Sequence, residues 1–185
     1  DDRIRTNLLF VTLDQLRADC VAAARPGGAL GALAPTPAFD RLAAEGVVFR
    51  DHWTNAVPCG PSRASLLTGL YAFNHRVVRN GAPLASHHAT LGTALREIGR
   101  EPLLFGYADQ APDPGGLHPA DPDLATYELP ARGFREIVET RWEAPLAWIG
   151  ALRARGYALP EPLPERVSDL FAPVAPQGRA ARPDD

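Results

Sequence analysis

The sequence contains no lysine and no methionine, and it has only two cysteines, Cys20 and Cys59. Two cysteines cannot build the disulfide framework of a small secreted domain, although they allow one bridge or a chemical role for one thiol. Its apolar runs are far shorter than the roughly 18 residues that a membrane span needs. The sequence therefore argues against a disulfide scaffold and against a membrane protein.

An excess of basic charge is also missing. The 19 basic residues, all of them arginine, stand against 22 acidic residues and give a net charge of -3. Proteins that bind nucleic acid usually carry a basic surface that neutralises phosphates, and this balance indicates none. We therefore expect neither nucleic acid nor a membrane among the partners. Without an initiator methionine, any targeting segment would precede Asp1, and a cytoplasmic location is taken as the default.

The length of 185 residues and the hydrophobic content of 45% suit one ordinary globular domain. Candidate strands and helices alternate along residues 1–159. Such alternation is typical of an α/β fold, a parallel-rich sheet covered by helices on both faces. Prolines recur in residues 160–185 without apolar periodicity, which predicts a proline-rich loop or a disordered tail.

The first strand is expected at residues 8–13, because this short and uniformly apolar run is typical of a strand buried on both faces. Asp14 and Gln15 follow it, and ligands of open α/β sheets bind at the carboxyl ends of strands. The other predicted elements are strands at 47–49 and 103–105 and helices at 36–46, 61–67, 90–98 and 145–155.

Cys59 opens the strongest chemical pattern, Cys-Gly-Pro-Ser-Arg over residues 59–63. Pro61 suits the first turn of a helix, so Cys59 is expected just before a helix begins, where N–H groups and the helix dipole favour an anion. Arg63 adds a cation that can hold a tetrahedral oxyanion. The pattern suits a phosphate or sulfate ester. The alternative is an apolar cysteine buried in front of a helix.

This segment resembles the C-x-P-S-R signature of the sulfatase family, which belongs to the alkaline phosphatase superfamily. Residues 7–14 are similar to the family's first strand and metal carboxylate, and residues 36–49 to its T-P-x-x-D-R-L-A-x-E-G-V-x-F stretch. Further segments, up to about residue 160, resemble the branch of phosphonate monoester hydrolases and arylsulfatase-like enzymes. The resemblance implies an alkaline phosphatase-like fold, incomplete in this chain, with residues 1–159 as the N-terminal part of the catalytic domain.

The resemblance also implies a chemistry. In that family the motif cysteine is oxidised after translation to formylglycine, whose hydrate has two hydroxyls. One hydroxyl attacks sulfur or phosphorus and displaces the alcohol of the substrate, and the other, on deprotonation, expels the enzyme-bound ester by collapse to the aldehyde. Cys59 and Arg63 would then be catalytic, a small anionic ester would be the substrate, and a formylglycine-generating enzyme would be a partner during maturation.

Two further groups of residues follow from the resemblance. Asp14, Gln15 and Cys59, as formylglycine, match the family's metal ligands, and their oxygen atoms suit Ca²⁺, Mg²⁺ or Mn²⁺. Many sulfatases have a second aspartate where this chain has Gln15. Asn80 and Tyr107 match positions that bind the anionic group of the substrate, through an amide N–H and a phenol hydroxyl. The alternatives are an asparagine in a turn and a half-buried tyrosine.

Asp109 stands where this branch more usually has a hydroxyl residue, so no role is assigned to it. Family members also carry an Asp-His or Asp-Asn metal pair, a histidine and a lysine downstream. After Tyr107 this sequence has no similarly placed pair, and it has no lysine anywhere. We therefore expect a truncated portion that is inactive alone, from a full-length protein that is free to form oligomers.

The leading hypothesis is a formylglycine-dependent, metal-assisted hydrolase of sulfate esters or of phosphonate or phosphate monoesters. The alternative is a non-catalytic fragment or pseudoenzyme that retains the sulfatase fold. A thiol redox protein that uses Cys20 and Cys59 is a third hypothesis, which the absence of C-x-x-C spacing disfavours.

Overall fold

The computed structural model describes residues 6–24, 35–139 and 146–159. The chain divides into two units, Asp1–Trp53 and Thr54–Asp185. The elements are a 3₁₀-helix at Ala18–Cys20, α1 at Pro37–Glu45, α2 at Cys59–Thr68, α3 at Ala72–His75, α4 at Leu91–Glu97, β1 at Leu103–Gly106, a second 3₁₀-helix at Pro122–Ala125, β2 at Arg135–Glu139 and α5 at Leu146–Ala154. No helix within the described residues is long and apolar enough to cross a membrane. The tail expected at 160–185 lies outside the described residues.

Among the described residues of the first unit, α1 is the one α-helix, and it lies where the sequence predicts it. Thr36 precedes the helix, Pro37 opens it and Gly46 follows its last residue. The predicted strands at 8–13 and 47–49 are wrong, because neither segment forms a strand and both are largely exposed, Leu9 by 86%. A buried parallel strand needs neighbours that satisfy its N–H and C=O groups, and no described residue pairs with either segment.

In the second unit, α2 contacts α3 and α4. Helix α2 begins at Cys59 rather than at Pro61, so the cysteine lies inside the first turn and not in front of it. The reason is that Pro61 still falls within the first turn, where no backbone N–H is needed for the helix. Gly69 ends α2 in the left-handed conformation with φ 71°, as its position in the sequence predicts.

A small apolar core supports this arrangement. Ala64 of α2 is fully buried and forms a cluster with Val77 and Leu84. Helix α4, seen at 91–97 against the expected 90–98, starts with a capping box between Thr90 and Thr93. The Thr90 hydroxyl also donates to the Arg132 carbonyl at 2.6 Å, which ties α4 to the segment that leads into β2.

In the part of the chain that the structure describes, the sheet consists of β1 and β2, which pair in parallel with a register shift between Leu104 and Phe105. The sequence predicts β1 but misses β2. Parallel strands and helices together confirm the α/β class, with a sheet that is incomplete at two strands. Strand β1 ends at Gly106, so Tyr107 lies directly beyond its carboxyl end, where sheets of this class bind ligands.

Candidate active site

The candidate site is built at the start of α2. Cys59 is its first residue and is half-buried, and Pro58 before it gives no side-chain cap. The cap comes instead from another loop, because the Gly60 N–H donates to Oδ1 of Asn80 at 2.8 Å. This bond fixes the orientation of the Asn80 amide, so its NH₂ group is the one left to donate to a ligand.

Gly60 allows two loops to approach the helix start closely. A Cβ atom at this position would lie 3.2 Å from Asn80 Oδ1, 3.4 Å from Asn80 Cα and 3.5 Å from the Asp109 carbonyl oxygen. These distances are at or near the limit of van der Waals contact. The backbones of residues 80 and 109 therefore both lie against the residue that follows Cys59.

Arg63 lies one turn after Cys59 on the same face of α2, as its i+4 spacing requires. Its Cζ atom lies over the ring of Tyr107, 4.5 Å from the centroid, a distance typical of a cation–π contact. Its Nη1 atom donates to the Tyr107 carbonyl at 3.3 Å and pairs with Oδ2 of Asp109 at 3.3 Å. The structure thus brings Arg63 and Tyr107 together.

Asp109 is the residue of this group that the sequence analysis missed. Its side chain is only 6% exposed and forms the ion pair with Arg63, whose own side chain is 16% exposed. Its backbone has φ 48°, the left-handed region that aspartate tolerates better than most residues. The available signal was its position, a carboxylate shortly after the carboxyl end of a predicted strand.

Ser65, farther along α2, and His75 of α3 form a buried pair that resembles a catalytic dyad in composition only. The Val77 N–H donates to His75 Nδ1 at 3.1 Å, so the proton of a neutral ring lies on Nε2 and is donated to Ser65 Oγ at 2.8 Å. Burial, and then the charge of His88, lower the pKa of His75 and favour this neutral form. A histidine that donates to the serine cannot deprotonate it, so the pair ties α2 to α3.

Asp14 and Gln15, the predicted metal ligands, lie in the first unit. They form a turn after the exposed segment 8–13, and Gln15 has φ 57°. A carboxylate and an amide oxygen are donors that hard cations prefer, so their chemistry fits Ca²⁺, Mg²⁺ or Mn²⁺. The described part of the chain contains no group of three or more His, Cys, Asp or Glu residues able to hold a metal ion. The set of Asp14, Gln15 and Cys59 stays a prediction.

Comparison with known proteins identifies the family. The model of the sulfatase family matches residues 6–121, which include Asp14, the start of α2 and the segment 107–109. The chain belongs to the sulfatase family. This confirms the resemblance that the motif at Cys59 predicts.

Relatives of this sulfatase-family chain lie in the predicted branch. It is 42% identical over 159 residues to the multifunctional alkaline phosphatase superfamily protein PehA of Trinickia caryophylli, covering 85% of this chain and 30% of that protein. Mouse arylsulfatase J is 34% identical over 88 residues, covering 44% of this chain and 14% of that protein. The solved phosphonate monoester hydrolase SpPMH of Silicibacter pomeroyi aligns with a TM-score of 0.75 and 48% identity, covering 84% of this chain and 30% of the other.

The chain therefore spans about 30% of the length of PehA and of SpPMH, the relatives that it covers best here. The family also confirms the fold class, because these neighbours are alkaline phosphatase-like hydrolases. Membership establishes a hydrolase family for this chain.

Proposed function

We propose that the full-length protein hydrolyses sulfate esters or phosphonate or phosphate monoesters, with Cys59 matured to formylglycine and with a divalent metal ion. The observation that carries the proposal is the start of α2, where Cys59 lies in the first turn with Arg63 one turn later on the same face. Relatives named phosphonate monoester hydrolase and arylsulfatase support these substrate classes.

The residues of the second unit suit the binding of a tetrahedral anion. The first-turn N–H groups and the helix dipole favour negative charge beside Cys59. Because Asn80 Oδ1 is held by the Gly60 N–H, the Asn80 NH₂ group donates to the anion. The Tyr107 phenol is the second substrate donor, and Arg63 supplies positive charge as the negative charge on the ester oxygens builds up.

Asp14 and Gln15 would hold the metal ion together with the oxygen of matured Cys59. When bound, the metal ion supplies Lewis acidity toward an ester oxygen. The donor set supports this assignment, because all three ligands are oxygen atoms and hard divalent cations prefer oxygen.

The experiment combines mass analysis with kinetics on the full-length protein, produced together with a formylglycine-generating enzyme. The peptide that contains Cys59 should have the mass of the aldehyde, and Cys59→Ser should abolish turnover of an aryl sulfate and of a phosphonate monoester, because serine lacks the second hydroxyl. The matched control is Cys20→Ser, which should retain full activity.

Undiminished turnover by the Cys59→Ser protein would overturn the formylglycine assignment. An unmodified cysteine, with no hydrolysis of either ester by the native protein, would favour the alternative, a protein that retains the sulfatase fold without turnover.

A further inference from the structure

A short segment of the chain, residues 107–109, contacts the Arg63 guanidinium in three ways. The Tyr107 ring covers its guanidinium, the Tyr107 carbonyl accepts from Nη1, and the Asp109 carboxylate pairs with the same atom. Two of these contacts come from a residue that the family motif predicts. The third comes from an aspartate at a position where the related branch more usually has a hydroxyl residue.

The ion pair between Arg63 and Asp109 is largely buried, so its charges interact strongly. The Asp109 side chain is 6% exposed and that of Arg63 is 16% exposed, so water screens the pair only in part. A carboxylate buried to this degree is costly unless it meets a cation. The Asp109 carboxylate offsets part of the positive charge of Arg63. A substrate anion at the start of α2 is therefore attracted less strongly than it would be by Arg63 alone.

The backbone around Asp109 holds the carboxylate in position. Gln110, which is buried, donates from Nε2 to the Asp109 carbonyl at 3.1 Å and to the Ala108 carbonyl at 3.2 Å. The same Asp109 carbonyl faces Gly60 at the helix start. These bonds hold the loop in its local conformation independently of the ion pair, and its backbone lies close to the start of α2.

We propose that Asp109 is a positioning residue of the site, which holds the Arg63 guanidinium on the Tyr107 ring and compensates its positive charge. The proposal rests on the proposed function, because it concerns how Arg63 faces an anionic ester. With Asp109 in place, the orientation of Arg63 is restricted. A second negative charge on the substrate then adds little to its electrostatic attraction to Arg63. With Asp109 neutralised, the Arg63 guanidinium loses one of the contacts that orient it, and its attraction for an ester rises with the charge of that ester.

The test uses Asp109→Asn in the full-length protein, because asparagine has the same shape and also tolerates a positive φ. The matched control is Asp123→Asn, which removes the same charge from an exposed residue of the second 3₁₀-helix. Asp109→Gly is a second variant that removes the carboxylate without backbone strain, and it replaces the first if that protein does not fold.

The first readout is independent of activity. Phenylglyoxal modifies exposed guanidinium groups, and mass spectrometry of the peptides gives the rate at Arg63, with the exposed Arg96 as internal reference. Asp109→Asn should raise the rate at Arg63 several-fold relative to Arg96, and Asp123→Asn should leave it unchanged. An unchanged rate in Asp109→Asn, or an equal rise in the control, would overturn the positioning role.

The second readout compares 4-nitrophenyl sulfate, which carries one negative charge, with 4-nitrophenyl phosphate, which carries two above about pH 7. In Asp109→Asn the ratio of kcat/KM for phosphate to that for sulfate should rise by about tenfold, because one uncompensated charge acts on one additional substrate charge. A ratio equal to that of the native protein would overturn the charge compensation. If the native protein hydrolyses neither of these esters nor a phosphonate monoester, the proposed function fails, while the labelling at Arg63 still decides the positioning role.

Discussion

Asn80 has two roles in the proposed site: it caps the start of α2, and it donates to the substrate. Two substitutions separate these roles. Its Oδ1 atom accepts from the N–H of Gly60, a buried residue of the first turn of α2. Its NH₂ group is the donor that the proposed function directs at the substrate. Asn80→Ala removes both groups, whereas Asn80→Asp keeps an acceptor and removes the donor.

The structure gives the expected magnitudes. Asn80→Ala leaves a buried N–H without its acceptor and should lower the free energy of unfolding by about 1–2 kcal/mol. Asn80→Asp keeps an acceptor for the Gly60 N–H. Its carboxylate also lies at the positive end of the helix dipole, which should stabilise the fold by about 0.3–1 kcal/mol. We therefore expect Asn80→Asp to be at least as stable as the native protein.

For activity we expect the reverse order, with Asn80→Asp less active than Asn80→Ala. Asn80→Asp places a negative charge where the anionic ester binds, so its kcat/KM for an aryl sulfate should fall by more than that of Asn80→Ala, by at least about a hundredfold. Urea unfolding and steady-state kinetics on the full-length protein measure both effects. Asn74→Asp, at an exposed position in α3, is the control for the chemical change. The reasoning is refuted if Asn80→Asp is as unstable as Asn80→Ala, or if it retains native activity.

Three further outcomes are expected. Asp14→Ala should abolish metal-dependent hydrolysis with unchanged circular dichroism, since Asp14 lies in an exposed turn; a native response to added Ca²⁺ or Mg²⁺ after chelation would contradict its role as a ligand. Gly133→Ala should lower the free energy of unfolding by about 2 kcal/mol or more in urea, because φ is 92° and a Cβ would overlap the Gly92 backbone; the control, Gly150→Ala, meets open space. The folded-state pKa of His75 lies below 6.5, so the unfolded chain takes up the proton first. Its contribution to stability should be full above pH 6.5 and lost as the pH falls through the folded-state pKa, and a Tm independent of pH below neutrality would contradict this.

Elements with local signals at their ends could be predicted from the sequence. Pro37 and Gly46 bound α1, and Thr90 precedes α4 with a hydroxyl that caps it. Such signals act within one turn of chain, so they hold wherever the rest of the protein lies. Helix α5, seen at Leu146–Ala154 against the predicted 145–155, follows the same rule, because Gly156 lies two residues after its last residue and has φ 82°.

Strand pairing depends on distant residues, and there the sequence analysis was less successful. Strand β2, Arg-Glu-Ile-Val-Glu, has charged residues at both ends and lacks the continuous apolar run expected of a buried strand. It is a strand because β1, some thirty residues earlier, offers it a parallel partner. The apolar run at 8–13 shows the reverse case. Its composition predicts a buried strand, but no neighbouring strand pairs with it among the described residues.

The same distinction explains what could be predicted of the site. The motif names Cys59 and Arg63, and local helix geometry puts them on one face of α2. The ion pair of Asp109 with Arg63 joins residues 46 positions apart in the sequence and arises only when the loop after β1 lies against α2. No pattern along the chain reports such a contact.

The structure also gives a physical reason for each internal residue of the motif. Gly60 permits the close approach of Asn80, which a side chain at that position would hinder. Pro61 falls in the first turn, where its missing N–H costs no helical hydrogen bond. The Ser62 hydroxyl lies 3.1 Å from that of Thr54, in the segment that leads into the helix. Gly60 and Pro61 therefore suit a helix start that another loop caps, independently of any chemistry at Cys59.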